Sequence, residues 1–221
     1  MSVSVKICGI NSRAAVEAAV AHGAAFIGFI FYPPSPRYVE PQDAGQLAAL
    51  VPPHITKVGV FVDADPTTID DTLLHVPLDA LQLHGSESPR NMDELRQTFR
   101  LPVIKAVKVA NAADVAEARA FEGHADWLMF DAKPPVGEPG MLPGGNALSF
   151  DWTLLAGRTW TVPWFLSGGL HAGNLAQAVR DSGARLLDVS SGVEIRPGLK
   201  DPAKIAEFLR LAASLSAATN G

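Results

Sequence analysis

Val3-Ser4-Val5-Lys6-Ile7-Cys8-Gly9-Ile10 opens the chain as a short strand-like run that stops at a cysteine and a glycine, after which Asn11-Ser12 offers a polar helix start. Strand periodicity sends Ser4, Lys6 and Cys8 to one side and Val5 and Ile7 to the other. The polar side needs a reason to exist. Cys8 is the sole cysteine of the 221-residue chain, so it acts without an intrachain disulfide. A lone cysteine is ordinarily a small buried hydrophobe. Position argues for more here. Cys8 lies where a strand ends, beside a glycine that lets a ligand approach the backbone, and two residues past an inward lysine that favours thiolate.

Working outward, apolar β-rich runs begin near Val3, Phe26, Lys57, Asp79, Pro102, Asp126, Pro163 and Arg185, at steps of 22 to 37 residues. Most intervals carry a helical pattern with recognisable ends. Asp65-Pro66, Ser88-Pro89 and Asp201-Pro202 pair a cap with proline in the first turn, and Gly23, Gly123 and Gly183 each close a helix. Eight strand–helix units in this length predict an α/β protein that is a single-domain (β/α)8 TIM barrel over residues 1–221, since parallel strands need both faces covered. Two intervals are too long for idle turns: Tyr32 to Pro41, and Asp131 to Phe150.

Composition narrows the function. A hydrophobic content of 48% suffices for a full core. The net charge is -5, with no basic tract, which argues against nucleic acid and anionic membranes as partners. No apolar stretch approaches the ~20 residues of a membrane span, and no secretory leader pattern opens the chain. A cytoplasmic protein with Cys8 kept reduced is expected.

In such a barrel the chemistry belongs at the carboxyl ends of the strands, where the loops converge on one mouth. That rule selects Cys8, Arg37, His84, Asp131, Gly168-Gly169 and Ser190-Ser191-Gly192. The glycine and serine loops after strands seven and eight, with bare backbone amides, suit a phosphate. Glycines also serve plain turns. Asp131, at the lip of an apolar strand, is a candidate general acid or else a loop cap. Strands one and six lie three steps apart around the ring, so Cys8 and Asp131 face each other across the mouth. Acid and base at opposite ends of one phosphorylated sugar suit an isomerisation that opens a ring and moves a proton, with no redox cofactor. Arg37 sits in a proline-stiffened loop, either holding a substrate carboxylate bidentately or simply solvated. His84 is expected to orient substrate or a neighbour rather than bind metal, because no second ligand stands at the right spacing. Lys6 and Asp188 point inward from neighbouring strands and are expected to pair, since an unpaired inward lysine is expensive.

Lys6-Ile7-Cys8-Gly9, Ser35-Pro36-Arg37, Gln82-Leu83-His84-Gly85, Phe130-Asp131, Ser167-Gly168-Gly169-Leu170 and Asp188-Val189-Ser190-Ser191-Gly192-Val193-Glu194 together resemble the phosphoribosylanthranilate isomerase family of tryptophan biosynthesis. The resemblance runs from residue 6 to about residue 201. It implies an Amadori rearrangement with Asp131 as acid and Cys8 as base. It also implies that Arg37 binds the anthranilate carboxylate and that the loops after strands seven and eight bind the phosphate. The implied partner is a phosphorylated sugar–anthranilate substrate, and the implied assembly is a monomer or homodimer. One departure stands out: members of the family usually carry Gly-Gly-Thr-Gly after strand six, where this chain has Gly144-Gly145-Asn146-Ala147. That loop, with Pro134 to Pro143 before it, is expected to act as a lid or to be plain surface. The rival readings are the related histidine-pathway isomerase, which uses an aspartate in place of Cys8, a metal-dependent pentose-phosphate epimerase, and a phosphosugar-binding barrel without catalysis.

Overall fold

Eight parallel strands close on themselves in chain order. They are β1 (Ser4–Cys8), β2 (Phe26–Ile30), β3 (Thr56–Phe61), β4 (Ala80–Leu83), β5 (Val103–Val109), β6 (Trp127–Ala132), β7 (Trp164–Leu166) and β8 (Leu186–Val189). The computed structural model describes residues 3–135 and 142–218. The ring is sealed where β1 meets β8, with Lys6 opposite Asp188 and Val5 opposite Leu187. The expected barrel is therefore present, and each strand starts within a residue of its expected position.

The helices follow the anticipated signals. They are α1 (Arg13–Ala21), α2 (Pro41–Ala48), α3 (Pro66–Leu73), α4 (Pro89–Phe99), α5 (Ala112–Glu117), α6 (Leu175–Ser182) and α7 (Pro202–Ala218). Asp65 caps α3 by accepting from the Thr68 amide, and Ser88 with Asn91 forms a capping box at α4. Gly183 ends α6 at φ +75, a left-handed conformation that costs glycine nothing.

Two expectations need correction. Gly123 follows a 3-10 turn (Ala118–Phe121) rather than an α-helix. The sixth unit has no α-helix among the described residues, only a 3-10 turn over Trp152–Leu155. Asp151 starts that turn, accepting from the Thr153 amide, and Gly157 at φ +66 stops it, so the chain turns back to β7 before a second helical turn forms. After β8 comes a feature absent from the sequence reading, a short antiparallel hairpin of β9 (Glu194–Arg196) and β10 (Leu199–Lys200).

Alternation divides the buried residues into two sets. Outward-facing residues such as Ile7, Ile27, Leu81, Phe130, Leu166 and Leu187 join the helices in one continuous shell. Inside the barrel, Val58, Ala80, Ile104, Ala106, Met129 and Phe165 form a separate apolar cluster. Phe26 packs edge-on against Phe165 and Trp127, with ring centroids 5.2 and 6.2 Å apart, and closes the amino-terminal end. Two residues further along the strands the interior turns polar, with Cys8, Gln82, Asp131, Ser167 and Asp188. The fold thus places its hydrophobic plug at one end and its chemistry at the other.

Candidate active site

One cavity opens at the carboxyl ends of the strands, lined by Cys8, Arg37, Gln82, His84, Asp131, Gly144, Gly145, Ser167, Gly168, Gly169, Asp188, Ser190 and Ser191. Of the residues selected from sequence, only Gly192 is outside this lining. It packs against the Leu170 carbonyl so closely that a side chain would collide, and so it joins the loops after β7 and β8 instead of facing the cavity. The two candidate phosphate loops are thereby held side by side. Gly168 and Gly169, at φ +86 and +64, let that loop pass tightly beneath Leu148.

Lys6 is fully buried and donates to Asp188 Oδ1 at 2.8 Å, while Ser167 Oγ donates to Asp188 Oδ2 at 3.1 Å. The expected pair is present, with its second oxygen also satisfied. Cys8 borders it. A Cβ placed on Gly28 would lie 3.0 Å from Lys6 Nζ and 3.2 Å from Cys8 Sγ, so the bare glycine of β2 makes room for both groups. Burial pushes the Cys8 thiol up, the Lys6 ammonium pulls it down, and Asp188 pushes it up again; the net direction is upward. Lys6 thus favours the thiolate as expected, against a larger opposing effect of burial. The cation weakens the cost of ionisation without overcoming burial.

Across the mouth, His84 Nε2 lies 3.1 Å from Asp131 Oδ2, and the Gln82 amide nitrogen lies 2.8 Å from His84 Nδ1. An amide nitrogen only donates, so Nδ1 accepts and Nε2 carries the hydrogen that His84 donates to Asp131 Oδ2. His84 thus orients a neighbour, one of the two roles anticipated for it. Gln82 Oε1 is buried with no hydrogen-bond partner among the described residues. Gln82 was quoted only as part of a motif, although strand alternation places it on the inward face with His84.

Arg37 is buried, not solvated. Its Nε and Nη2 donate to the two oxygens of Glu194 at 2.8 and 2.9 Å, and Nη2 also donates to the Gly145 carbonyl at 3.1 Å. Glu194 further accepts from Lys200 Nζ at 2.8 Å, and Lys200 donates to the Ser190 carbonyl at 2.9 Å and hydroxyl at 3.1 Å. Burial pushes the Glu194 carboxyl up, but Arg37 and Lys200 outweigh it and hold it below its ordinary range. Sequence reasoning assigned no role to Glu194 or Lys200. The Val193-Glu194 end of a quoted motif was the available signal for the first, and nothing marked the second.

The loop after β6 lies directly over Asp131 and His84. A side chain on Gly144 would come within 2.6 Å of His84 Nε2 and 2.8 Å of Asp131 Oδ2, and one on Gly145 within 2.5 Å of Arg37 Nη1. Asn146 ties the loop to itself, its Oδ1 accepting from the Leu142 amide and its Nδ2 donating to the Leu142 carbonyl. Ala147 adopts φ +57, a left-handed conformation better suited to glycine. Residues 136–141 of the expected lid lie outside the described residues.

A closed (β/α)8 barrel with a buried thiol, a hydrogen-bonded aspartate and two small-residue loops around one mouth has the form of a barrel enzyme with its site at the carboxyl ends of the strands. The comparisons narrow that class. The family model described as N-(5'phosphoribosyl)anthranilate (PRA) isomerase matches residues 5–210. The N-(5'-phosphoribosyl)anthranilate isomerase of Rhodospirillum centenum is 58% identical over 215 residues, covering 97% of this chain and all of that protein. The crystal structure of phosphoribosyl anthranilate isomerase from Thermotoga maritima superimposes with a TM-score of 0.85 at 38% identity, covering 96% of this chain and 99% of that one. A structure of the isomerase in complex with reduced 1-(o-carboxyphenylamino)-1-deoxyribulose 5-phosphate superimposes with a TM-score of 0.81 at 35% identity, over 96% and 99%. The chain belongs to the phosphoribosylanthranilate isomerase family. Among the described residues, no helix is long and apolar enough to cross a membrane.

Proposed function

We propose that the chain converts N-(5'-phosphoribosyl)anthranilate to 1-(2-carboxyphenylamino)-1-deoxyribulose 5-phosphate, with Asp131 as general acid and Cys8 as general base. The observation that carries this reading is the convergence of Cys8, Asp131, Arg37 and both small-residue loops on a single cavity. Asp131 gives a proton to the furanose ring oxygen as the C1–O bond breaks, and the anthranilate nitrogen lone pair forms the C1=N iminium. Cys8 then removes the C2 proton, and the electrons of that bond form C1=C2 as the iminium is neutralised. The resulting enolamine loses its hydroxyl proton and gains one at C1, giving the ketone. Atoms balance across the three steps, and the nitrogen acts as the electron sink, so no redox partner is consumed.

Within this scheme each neighbour has a physical task. His84 and Gln82 fix the direction of the Asp131 carboxyl. Lys6, balanced by Asp188, favours the Cys8 thiolate, the form that accepts the C2 proton and returns to the thiol as it does so. Gly168, Gly169, Ser190 and Ser191 bind the phosphate, and Arg37 binds the carboxylate, so the reacting carbons are held between acid and base. The rearrangement is followed by the loss of anthranilate fluorescence as the adduct is made and consumed, in wild type, Cys8→Ala and Asp131→Asn. Each substitution is expected to lower kcat by at least about a hundredfold. Turnover untouched by both would end the assignment.

A further inference from the structure

The Arg37 side chain is fixed far more tightly than a ligand-binding arginine needs for stability alone. Its stem lies flat on Gly9, where a Cβ would come within 2.9 Å of Arg37 Cδ. One edge of its guanidinium is used up by Glu194, which accepts from both Nε and Nη2. Glu194 is fixed in turn by Lys200 through its side chain and by Lys204, which donates to its backbone carbonyl at 2.7 Å. All three charged side chains of this cluster are almost fully buried. That leaves Nη1 without a hydrogen-bond partner among the described residues, next to the cavity-lining Gly145.

Charge points the same way. Two cations share one carboxylate, so the cluster carries an unbalanced positive charge in a poorly solvated place, a cost that an arriving anion relieves. A guanidinium held along one edge also loses little further freedom when its other edge binds a planar anion.

We propose that Glu194, braced by Lys200, is a positioning residue that aims the free Nη1 edge of Arg37 at the carboxylate of the ligand, making the β9–β10 hairpin the element that selects a carboxylated aromatic amine. This rests on the reading of Arg37 as the carboxylate site. Lys200 also holds Ser190, so the same hairpin couples the carboxylate subsite to a loop assigned to the phosphate.

The test compares two inhibitors by titration calorimetry: reduced 1-(o-carboxyphenylamino)-1-deoxyribulose 5-phosphate, and its phenylamino counterpart lacking the carboxylate. Wild type is expected to prefer the carboxylated compound by about tenfold or more. In Glu194→Gln that preference should fall to within about threefold, with the affinity for the phenylamino compound unchanged. A merely structural role would weaken both compounds alike and leave the ratio standing. In Lys200→Met the ratio should fall and both affinities should drop, because Ser190 is released as well. If Arg37→Ala abolishes the preference while Glu194→Gln retains it, the positioning role is refuted. If Arg37→Ala itself retains the preference, the carboxylate reading fails first, and visibly so. Should Glu194→Gln not fold, as judged by circular dichroism, the ratio in Lys200→Met decides, an unchanged ratio overturning the proposal.

Discussion

Replacing Gly144 by alanine adds one methyl group at the point where the loop after β6 meets the proposed acid. Gly144 is not among the glycines with positive φ, so alanine is conformationally acceptable there and the effect is one of contact. The new Cβ would lie 2.6 Å from His84 Nε2 and 2.8 Å from Asp131 Oδ2, where ordinary contact begins at 3.4 Å. The loop must therefore retreat by about 0.8 Å, or the imidazole must swing away from the carboxylate. Retreat on that scale stretches the bond from Arg37 to the Gly145 carbonyl, now 3.1 Å, out of hydrogen-bonding range. Swinging the imidazole loses the hydrogen bond to Asp131, about 0.5–1.5 kcal/mol. Misplacement near 1 Å at a reacting centre costs up to about a hundredfold in rate. A fall in kcat/KM of about tenfold to a hundredfold is expected in the fluorescence assay, with Tm within about 2 °C of wild type because the loop contributes little to the core. Retention of at least half the wild-type kcat/KM would refute the view that the bare backbone at Gly144 is what lets the loop close on Asp131.

Three further perturbations bear on other parts of the site. Asp188→Ala strands the fully buried Lys6 without its counter-charge and should cost about 3–5 kcal/mol in urea unfolding, whereas Lys6→Met with Asp188→Leu should recover much of that loss. Because the base form of Cys8 is the thiolate and burial raises the thiol above its ordinary value, kcat/KM should climb with pH through the ordinary thiol range, about pH 8.5, and beyond. A climb complete below neutrality in the pH–rate profile would contradict that environment. Ala147→Gly removes a left-handed strain of about 1–2 kcal/mol from the loop at the expense of some unfolded-state entropy. It should lower KM modestly in steady-state kinetics while global stability changes by less than about 1 kcal/mol.

The barrel was legible because its period is coarse and redundant. Eight β-rich runs with proline-flanked caps survive the loss of any one signal, as the interval after β6 shows: among its described residues only the 3-10 turn Trp152–Leu155 forms, yet β7 still arrives in place. Cys8 and Asp131 were legible for a different reason, since strand ends in such a barrel can reach only one mouth. What the sequence hid is the company those residues keep. Glu194 and Lys200 meet Arg37 from a hairpin whose strands are three and two residues long, too short to register as periodicity. The balance of effects on Cys8 was hidden because a lysine two residues away announces a charge, while the dry packing that opposes it comes from elsewhere in the barrel. Gly28 and Gly144 read as ordinary glycines until the atoms they make room for are placed beside them.

The aromatic plug of Phe26, Trp127 and Phe165 carries a kinetic implication. With that end stoppered, the reaction chamber is a blind alley, and whatever is made inside must back out past Gly144 and Gly145 by the route the starting material took. Entry and exit then share one doorway, so a product molecule still inside bars the next substrate until it has left.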